Sequence, residues 1–88
     1  MSAHSTADII RAKLAVLSPT QFELQDDSAL HAGHRGNSGG SHFNLTIRSE
    51  KFNGLSPVQR HRLIFDLLRD EMRSSIHALS IRAIAADE

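Results

Sequence analysis

The sequence contains no cysteine, and this absence excludes several kinds of chemistry from the chain itself. Without thiols the chain can form no disulfide, no thiolate metal site and no cysteine nucleophile. A cysteine-free chain is compatible with a reducing compartment. Any chemistry that needs a thiolate therefore has to take it from another molecule.

The chain also has too few residues to enclose a deep pocket. Its 88 residues predict one domain spanning residues 1–88. A domain of this size buries only about 60–65% of the surface that its unfolded chain exposes, whereas small-molecule sites typically enclose ~300–1,000 Å³. The sequence shows no nucleophile–base pair with an orienting group and no glycine-rich phosphate loop before a helix. We therefore expect a binding protein and not an enzyme.

An excess of charge is missing as well, because ten Lys and Arg residues balance ten Asp and Glu residues. Domains that bind mainly the nucleic-acid backbone usually carry a basic excess. No apolar run approaches the ~18–20 residues that span a membrane. The start, Met1-Ser2-Ala3-His4, has no apolar or arginine-rich presequence. We expect a soluble, cytoplasmic protein with no membrane partner.

The N-terminal half is predicted to contain one helix and two strands. Ser5, three residues before Asp8, resembles a capping box and begins the helix. Apolar residues recur at helical spacing up to Leu17, and the pair Ser18-Pro19 then ends the helix. Alternating apolar residues predict two strands and a long loop between them, over residues 21–25, 42–48 and 26–41 respectively.

The C-terminal half begins with a strong helix start, in which Ser56 caps, Pro57 is the first helical residue and Gln59 completes a capping box. The helix is predicted to continue to about Met72. One apolar arc of this helix contains Val58, His61, Ile64, Phe65, Leu68 and Met72. A turn or helical stub and a strand should follow, over residues 74–77 and 78–84. The order α-β-β-α-(α)-β predicts an α+β fold, with a three-stranded mixed sheet covered on one face by helices.

Histidines are the residues best suited to bind a metal here. His31 and His34 lie in the long loop, and His77 lies at the entrance to the last strand. Neutral imidazole is a good ligand for zinc, copper and iron. A single loop histidine is more often solvated than metal-bound, and zinc sites usually supply three or four protein ligands. The three histidines form an incomplete set, which becomes informative if a partner supplies the remaining ligands.

Two further histidines and two arginines are weaker candidates. His61, on the apolar arc, and His42, at the start of a strand, are interpreted as structural residues. Arg60 and Arg62 form a small basic cluster at the start of a helix, where they could contact a protein partner or a nucleic-acid phosphate. The competing interpretation is a solvated helix face with acidic neighbours at helical spacing.

Five short motifs occur in an order and spacing that resemble the BolA family. They are His31-Ala32-Gly33-His34, Gly39-Gly40-Ser41-His42-Phe43, Phe52-Asn53-Gly54-Leu55-Ser56, Arg60-His61-Arg62 and Ile76-His77-Ala78-Leu79-Ser80. The resemblance covers the chain from about Ala7 to Glu88. It implies an α-β-β-α-α-β fold related to class II KH domains and a partnership with monothiol glutaredoxins. Members of the family can share a bridging [2Fe–2S] cluster, for which the glutaredoxin side supplies a cysteine and a glutathione thiolate.

Carried onto this chain, the resemblance assigns His77 as one cluster ligand. The family takes a second ligand, His or Cys, from the loop between the first two strands. Here that ligand has to be histidine, and His31 matches the family's position best, with His34 as the alternative. The implied function is a non-enzymatic adaptor in cluster trafficking or iron sensing, monomeric alone and heterodimeric with glutaredoxin. The isolated chain is expected to bind no cofactor. The alternative is a DNA-binding transcriptional regulator that uses the KH-like fold.

Overall fold

The computed structural model describes residues 5–27 and 41–88. Within these ranges the order of elements is α-β-β-α-α-β, which confirms the predicted α+β fold and its order, although the additional short helix begins at residue 69 and not at the predicted residue 74. The bounds are α1 (Thr6–Leu14), β1 (Gln21–Asp26), β2 (Ser41–Ser49), α2 (Pro57–Leu67), α3 (Arg69–Ser74) and β3 (Ile76–Ala85). A 3-10 turn, Ala15–Leu17, follows α1, and another, Glu50–Phe52, follows β2.

Both predicted helix starts are confirmed. The Ser5 hydroxyl accepts a hydrogen bond from the Asp8 N–H at 3.1 Å and caps α1. The capping box at α2 is complete, because the Ser56 hydroxyl accepts from the Gln59 N–H while the Gln59 side chain accepts from the Ser56 N–H. The first helix ends as a 3-10 turn, and Ser18 after it adopts a left-handed backbone with φ of 48°. Both helix starts are therefore set by side-chain contacts between residues three positions apart in the sequence.

The predicted continuous helix up to Met72 is wrong, because the chain bends at Leu68 between α2 and α3. The Leu68 side chain is fully buried, and the Leu68 N–H still donates to the Ile64 carbonyl at 3.0 Å. Its carbonyl accepts from the Met72 N–H, so the bend breaks no backbone hydrogen bond at this residue. The apolar spacing continues through the bend, which is why periodicity alone misses it. The predicted stub over 74–77 is also wrong, since β3 already begins at Ile76.

The three strands form one mixed sheet in the order β1-β2-β3. β1 runs antiparallel to β2, and β2 runs parallel to β3. The β2 residues Phe43, Leu45 and Ile47 point to the side of the sheet on which the buried helix residues pack. The buried core consists of Ile10, Leu14, Leu17, Phe43, Leu45, Ile47, Phe52, Ile64, Leu68, Ile76 and Ala85. Each fully buried large side chain among them contributes about 1.5–3 kcal/mol.

Two positions of the predicted apolar arc of α2 are exposed. Val58 was expected on the apolar arc, but 63% of its surface is accessible, and Phe65 is 37% exposed. Ile64 and Leu68, on the other side of the arc, are both fully buried, so only one side of the arc packs into the core. Among the residues that the structure describes, no helix is long and apolar enough to cross a membrane.

Candidate functional site

β3 begins with a shift in strand pairing that sets His77 apart from its neighbours. Ser41 pairs with Ile76 whereas His42 pairs with Ala78, so His77 is an additional residue in β3 at this point. Such irregularities redirect a side chain and are common beside binding sites. Ile76 is only 4% exposed and anchors the strand in the core, while the next side chain, His77, is exposed. The strand start therefore presents an imidazole to solvent from a fixed backbone.

His42, on the neighbouring strand, places a second imidazole beside the first. The ring centroids of His42 and His77 are 5.0 Å apart, and the two ring planes differ by 24°. The His42 side chain is half-buried. The backbone carbonyl of His42 accepts a hydrogen bond from the Asp27 N–H at 2.7 Å. Sequence reasoning treated His42 as structural and missed this pair. The missing signal was the register of β2 on β3, a contact between distant parts of the chain.

The two predicted loop ligands, His31 and His34, lie outside the described residues. The described residues on either side of that segment are nevertheless close to the histidine pair. Asp27, before it, bonds to the His42 backbone, and Ser41, after it, pairs with Ile76. Within residues 5–27 and 41–88, no group of three or more histidines, cysteines, aspartates or glutamates could hold a metal ion.

The donor chemistry at this end of the sheet fits part of an iron site. Imidazole nitrogen suits iron, zinc and copper, and two imidazoles on one iron of a two-iron cluster are found in Rieske centres. The chain has no thiolate to offer, because it contains no cysteine. The residues present can therefore supply nitrogen ligands to one iron, and all sulfur ligands have to come from elsewhere.

Arg60, one of the two arginines predicted to contact a partner, is engaged in bonds within the domain. Its Nε donates to the Leu55 carbonyl at 2.9 Å, and its Nη1 donates to the Ala83 carbonyl at 3.0 Å. The same Nη1 lies 2.6 Å from Oε1 of Glu88, and the Arg60 side chain is only 12% exposed. These bonds hold the start of α2 against β3. Ala83 follows His77 by six residues, which corresponds to about 20 Å along a strand.

Glu88 completes the bonded group around Arg60. Its Oε1 accepts from the Ala85 N–H at 2.6 Å, and its backbone carbonyl accepts from the Arg48 guanidinium at 2.7 Å. The backbone hydrogen bond from Ala85 and the hydrogen bond from Arg60 lower the pKa of the Glu88 carboxyl, and the charge of Arg48 adds to the effect. We call this group, consisting of Arg48, Arg60, Ala83, Ala85 and Glu88, the C-terminal clasp.

Arg62, the second predicted contact, is exposed on α2. It lines a shallow, open groove of about 300 Å³ together with Val58, His61 and Phe65. His61 is half-buried in this groove, which is compatible with the structural role predicted for it. Of the predicted basic cluster, Arg62 is thus the arginine that an approaching molecule can reach.

These observations define a small α+β domain that presents histidines at one end of a mixed sheet and an apolar groove with an arginine on a helix. The protein-family model described as BolA-like protein matches residues 14–88. The chain belongs to the BolA-like family, as the resemblance in its motifs indicated.

Curated relatives differ in the length over which they match. The chain is 52% identical over 81 residues to SufE-like protein 1, chloroplastic/mitochondrial, of Arabidopsis thaliana, covering 84% of the chain and 22% of that protein. It is 44% identical over 75 residues to BolA-like protein 1 of Mus musculus, covering 84% of the chain and 53% of the relative. A protein of Vibrio cholerae named DNA-binding transcriptional regulator BolA is 40% identical over 82 residues, with coverages of 92% and 76%. The chain spans about half the length of the mouse relative and less of the plant one.

Solved structures agree with the fold. BolA1 from Arabidopsis thaliana superposes with a TM-score of 0.82 at 37% identity, covering 98% of both chains. The BolA domain of SufE1 from the same plant gives a TM-score of 0.79 at 48% identity, covering 97% of this chain and 98% of that domain. The three-stranded mixed sheet with its helices is therefore the architecture of this family.

Proposed function

We propose that the protein is a non-enzymatic adaptor that binds a monothiol glutaredoxin and co-ligates a bridging [2Fe–2S] cluster, in iron–sulfur trafficking or iron sensing. The observation that carries the proposal is the exposed imidazole of His77 at the start of β3, beside the two ends of the segment that contains His31. His77 supplies one ligand and His31 the second, with His34 as the alternative. Glutaredoxin and glutathione supply the thiolates.

The shape of the domain supports a role as one half of a shared site. His77 stands at the end of an open sheet, so the chain can cover one side of a cluster that a partner holds on the other. Ile76, buried next to it, fixes the backbone from which the imidazole projects. Neutral imidazole replaces anionic thiolate on one iron, which raises the reduction potential relative to an all-thiolate cluster. The relation to SufE-like protein 1 and to the BolA domain of SufE1 also favours an iron–sulfur role.

The proposal is tested by mixing the protein with a monothiol glutaredoxin, glutathione, iron and sulfide, and by recording visible absorbance and circular dichroism. We expect a heterodimer spectrum that differs from that of the glutaredoxin homodimer and that is lost in His77→Ala. His31→Ala and His34→Ala identify the second ligand. His61→Ala is the matched control, because it removes an imidazole from the α2 groove. A mixture that gives only the homodimer spectrum, with no complex on gel filtration, contradicts the proposal.

A second candidate function is DNA-binding transcriptional regulation. It is favoured by the name of the Vibrio cholerae relative, of which the chain covers 76%, and by the exposure of Arg62 on α2. The zero net charge argues against strong nonspecific binding. A gel shift with duplex DNA that weakens with salt and is reduced in Arg62→Ala, but not in the control Arg73→Ala, would favour this function over the adaptor role.

The remaining expectations are part of the same proposal. We expect the protein to be a monomer alone and to form a heterodimer with glutaredoxin. Light scattering on each protein and on their mixture measures the molecular masses that test this. The cytoplasmic location stays a prediction, since two of the plant relatives carry chloroplastic or mitochondrial locations in their names. Fluorescence microscopy of the tagged full-length protein in its own cell would locate it.

A further inference from the structure

β3 is an edge strand of the sheet, and the C-terminal clasp covers only one end of its outer edge. The order β1-β2-β3 gives β3 a neighbour on one side, and no further strand pairs with it among the described residues. At the C-terminal end of the edge, Arg60 donates to the Ala83 carbonyl. Glu88 accepts from the Ala85 N–H at the same place. Unpaired backbone groups on an edge are a template for another strand, so the remaining part of this edge is open to one.

The direction of the backbone groups along β3 follows from the bonds near its end. The Ala86 N–H donates to the Ser49 carbonyl of β2 at 3.2 Å, so the even-numbered residues face β2. The Ala83 carbonyl instead bonds to the clasp, so the odd-numbered residues face outward. The register of β3 on β2 is regular beyond the shift at its start, and successive residues point to opposite sides. Leu79 and Ile81 therefore direct their N–H and C=O groups outward, and we call this part of the strand the free edge of β3.

The side chains along the free edge define the chemistry of a strand that fits it. Leu79 and Ile81 are half-buried on the helix-covered face of the sheet, against the core. Arg82 is exposed on the opposite, open face, and no carboxylate among the described residues forms an ion pair with it. Cross-strand pairs of apolar side chains and of opposite charges stabilise a sheet. The complement of the free edge is thus a segment in which apolar and acidic residues alternate.

A second copy of this chain matches the free edge less well than a partner protein does. Another β3 contains one arginine and no carboxylate, so it offers nothing to Arg82. The β1 of another copy has the required alternation, but its Glu23 already accepts from the Gln21 side chain at 3.0 Å. Copies joined β1 to β3 would also extend the sheet without closing. A nucleic-acid strand would meet only one arginine along β3.

We propose that the free edge of β3 at Leu79 and Ile81 binds an extended segment of a protein partner, with alternating apolar and acidic residues, as an added strand of the sheet. The outward backbone groups supply the hydrogen bonds, and Arg82 selects the acidic residue. The clasp limits how far the added strand extends, because it already occupies the Ala83 carbonyl. This inference goes beyond the proposed cluster function and does not depend on it.

Nuclear magnetic resonance on the ¹⁵N-labelled full chain tests the free edge with a defined probe, a short peptide of alternating valine and glutamate. We expect saturable shifts of the Leu79 and Ile81 amide signals and slower hydrogen exchange at both. A peptide with lysine in place of glutamate should bind about fivefold more weakly, because it places like charges across the strand pair. The absence of a saturable shift at both amides, up to about 5 mM glutamate peptide, would overturn the proposal.

Two variants assign the binding to the free edge. Arg82→Glu should reverse the preference between the two peptides, whereas the control Arg62→Glu on α2 should leave it unchanged. Ile81→Pro removes an outward N–H that makes no bond to β2, as proline on an edge strand can. It should weaken binding of the glutamate peptide by about tenfold while circular dichroism stays unchanged. Should Ile81→Pro fail to fold, Arg82→Glu decides, and an unaltered peptide preference in that variant contradicts the assignment.

Two further measurements test the choice of occupant. Light scattering that shows assembly of the unmodified chain, abolished in Ile81→Pro, would assign the free edge to a second copy and overturn the proposal. An oligonucleotide that shifts the Leu79 and Ile81 signals at lower concentration than the glutamate peptide would overturn it as well. The peptide titration needs neither glutaredoxin nor iron, so its result stands even if the proposed cluster function fails.

Discussion

The two ends of β3 differ in what their polar groups do. At the C-terminal end, the clasp uses Arg60 and Glu88 to bond backbone groups of β3, including the Ala83 carbonyl and the Ala85 N–H. At the N-terminal end, His77 is displaced by a register shift and exposes its ring beside His42. Charged groups bonded to their own backbone stabilise the fold, whereas donor groups that face solvent are available to a ligand. The comparison predicts that substitutions at one end change stability and at the other end change binding.

The largest expected effect is at the binding end. His77→Ala should abolish the mixed-cluster spectrum with glutaredoxin, since it removes the proposed iron ligand. The same change should alter the free energy of unfolding by less than about 0.5 kcal/mol, because the side chain is exposed. Visible circular dichroism and urea denaturation measure the two effects. A loss of stability as large as the loss of binding would remove the distinction between the two ends.

Next in size is Arg60→Ala in the clasp. We expect the free energy of unfolding to fall by about 2–3 kcal/mol, because the change removes charge-assisted bonds to the Leu55 and Ala83 carbonyls. Arg62→Ala, two residues along the same helix, should change it by no more than about 0.5 kcal/mol. Urea denaturation of both variants measures the two free energies of unfolding. If Arg60→Ala is as mild as the control, Arg60 is available for a partner after all.

A smaller effect is expected at Asn53, which binds the chain beyond β3. Its Oδ1 accepts from the Ala86 N–H at 2.9 Å, at an exposed position. Asn53→Ala should cost about 1 kcal/mol, the usual value for one neutral hydrogen bond. Thermal unfolding, with Gln25→Ala at an exposed amide residue of β1 as a control, measures the difference. Mixed-cluster formation should not change, and its loss would show that the two ends are coupled.

The smallest expected effect is the loss, in acid, of the stability that Glu88 of the clasp contributes. Because the pKa of Glu88 is lowered in the folded state from its ordinary 4.5, the unfolded state binds the proton more readily. The resulting stabilisation is present above pH 4.5 and is lost as the pH falls through the lowered pKa. Glu88→Gln should therefore flatten the pH dependence of the free energy of unfolding below pH 4.5. Urea denaturation of Glu88→Gln and of the unmodified chain between pH 3 and pH 7 measures this dependence. If the two chains lose stability equally steeply as the pH falls, the assignment to Glu88 is wrong.

The sequence alone predicts the parts of the fold that depend on neighbouring residues. The caps at Ser5 and Ser56 and the alternation of β2 are confirmed, because each rests on contacts within a few residues. The bend at Leu68 is missed, since the apolar spacing is the same on both sides of it. The exposure of Val58 is missed for a related reason, because periodicity shows a face of a helix but not how much of that face the sheet covers.

The candidate site also has one part that local sequence patterns predicted and another that only tertiary contacts produced. The sequence selected His77 through a local motif, and its exposed place at a strand start follows from Ile76 next to it. Only the pairing of β2 with β3 brought His42 to His77, and only the packing of α2 on β3 placed Arg60 against Ala83. The physical reason is that strand register and helix packing depend on contacts between distant residues, which local patterns do not contain. Sequence determined which side chains were available, and the tertiary structure decided which of them meet.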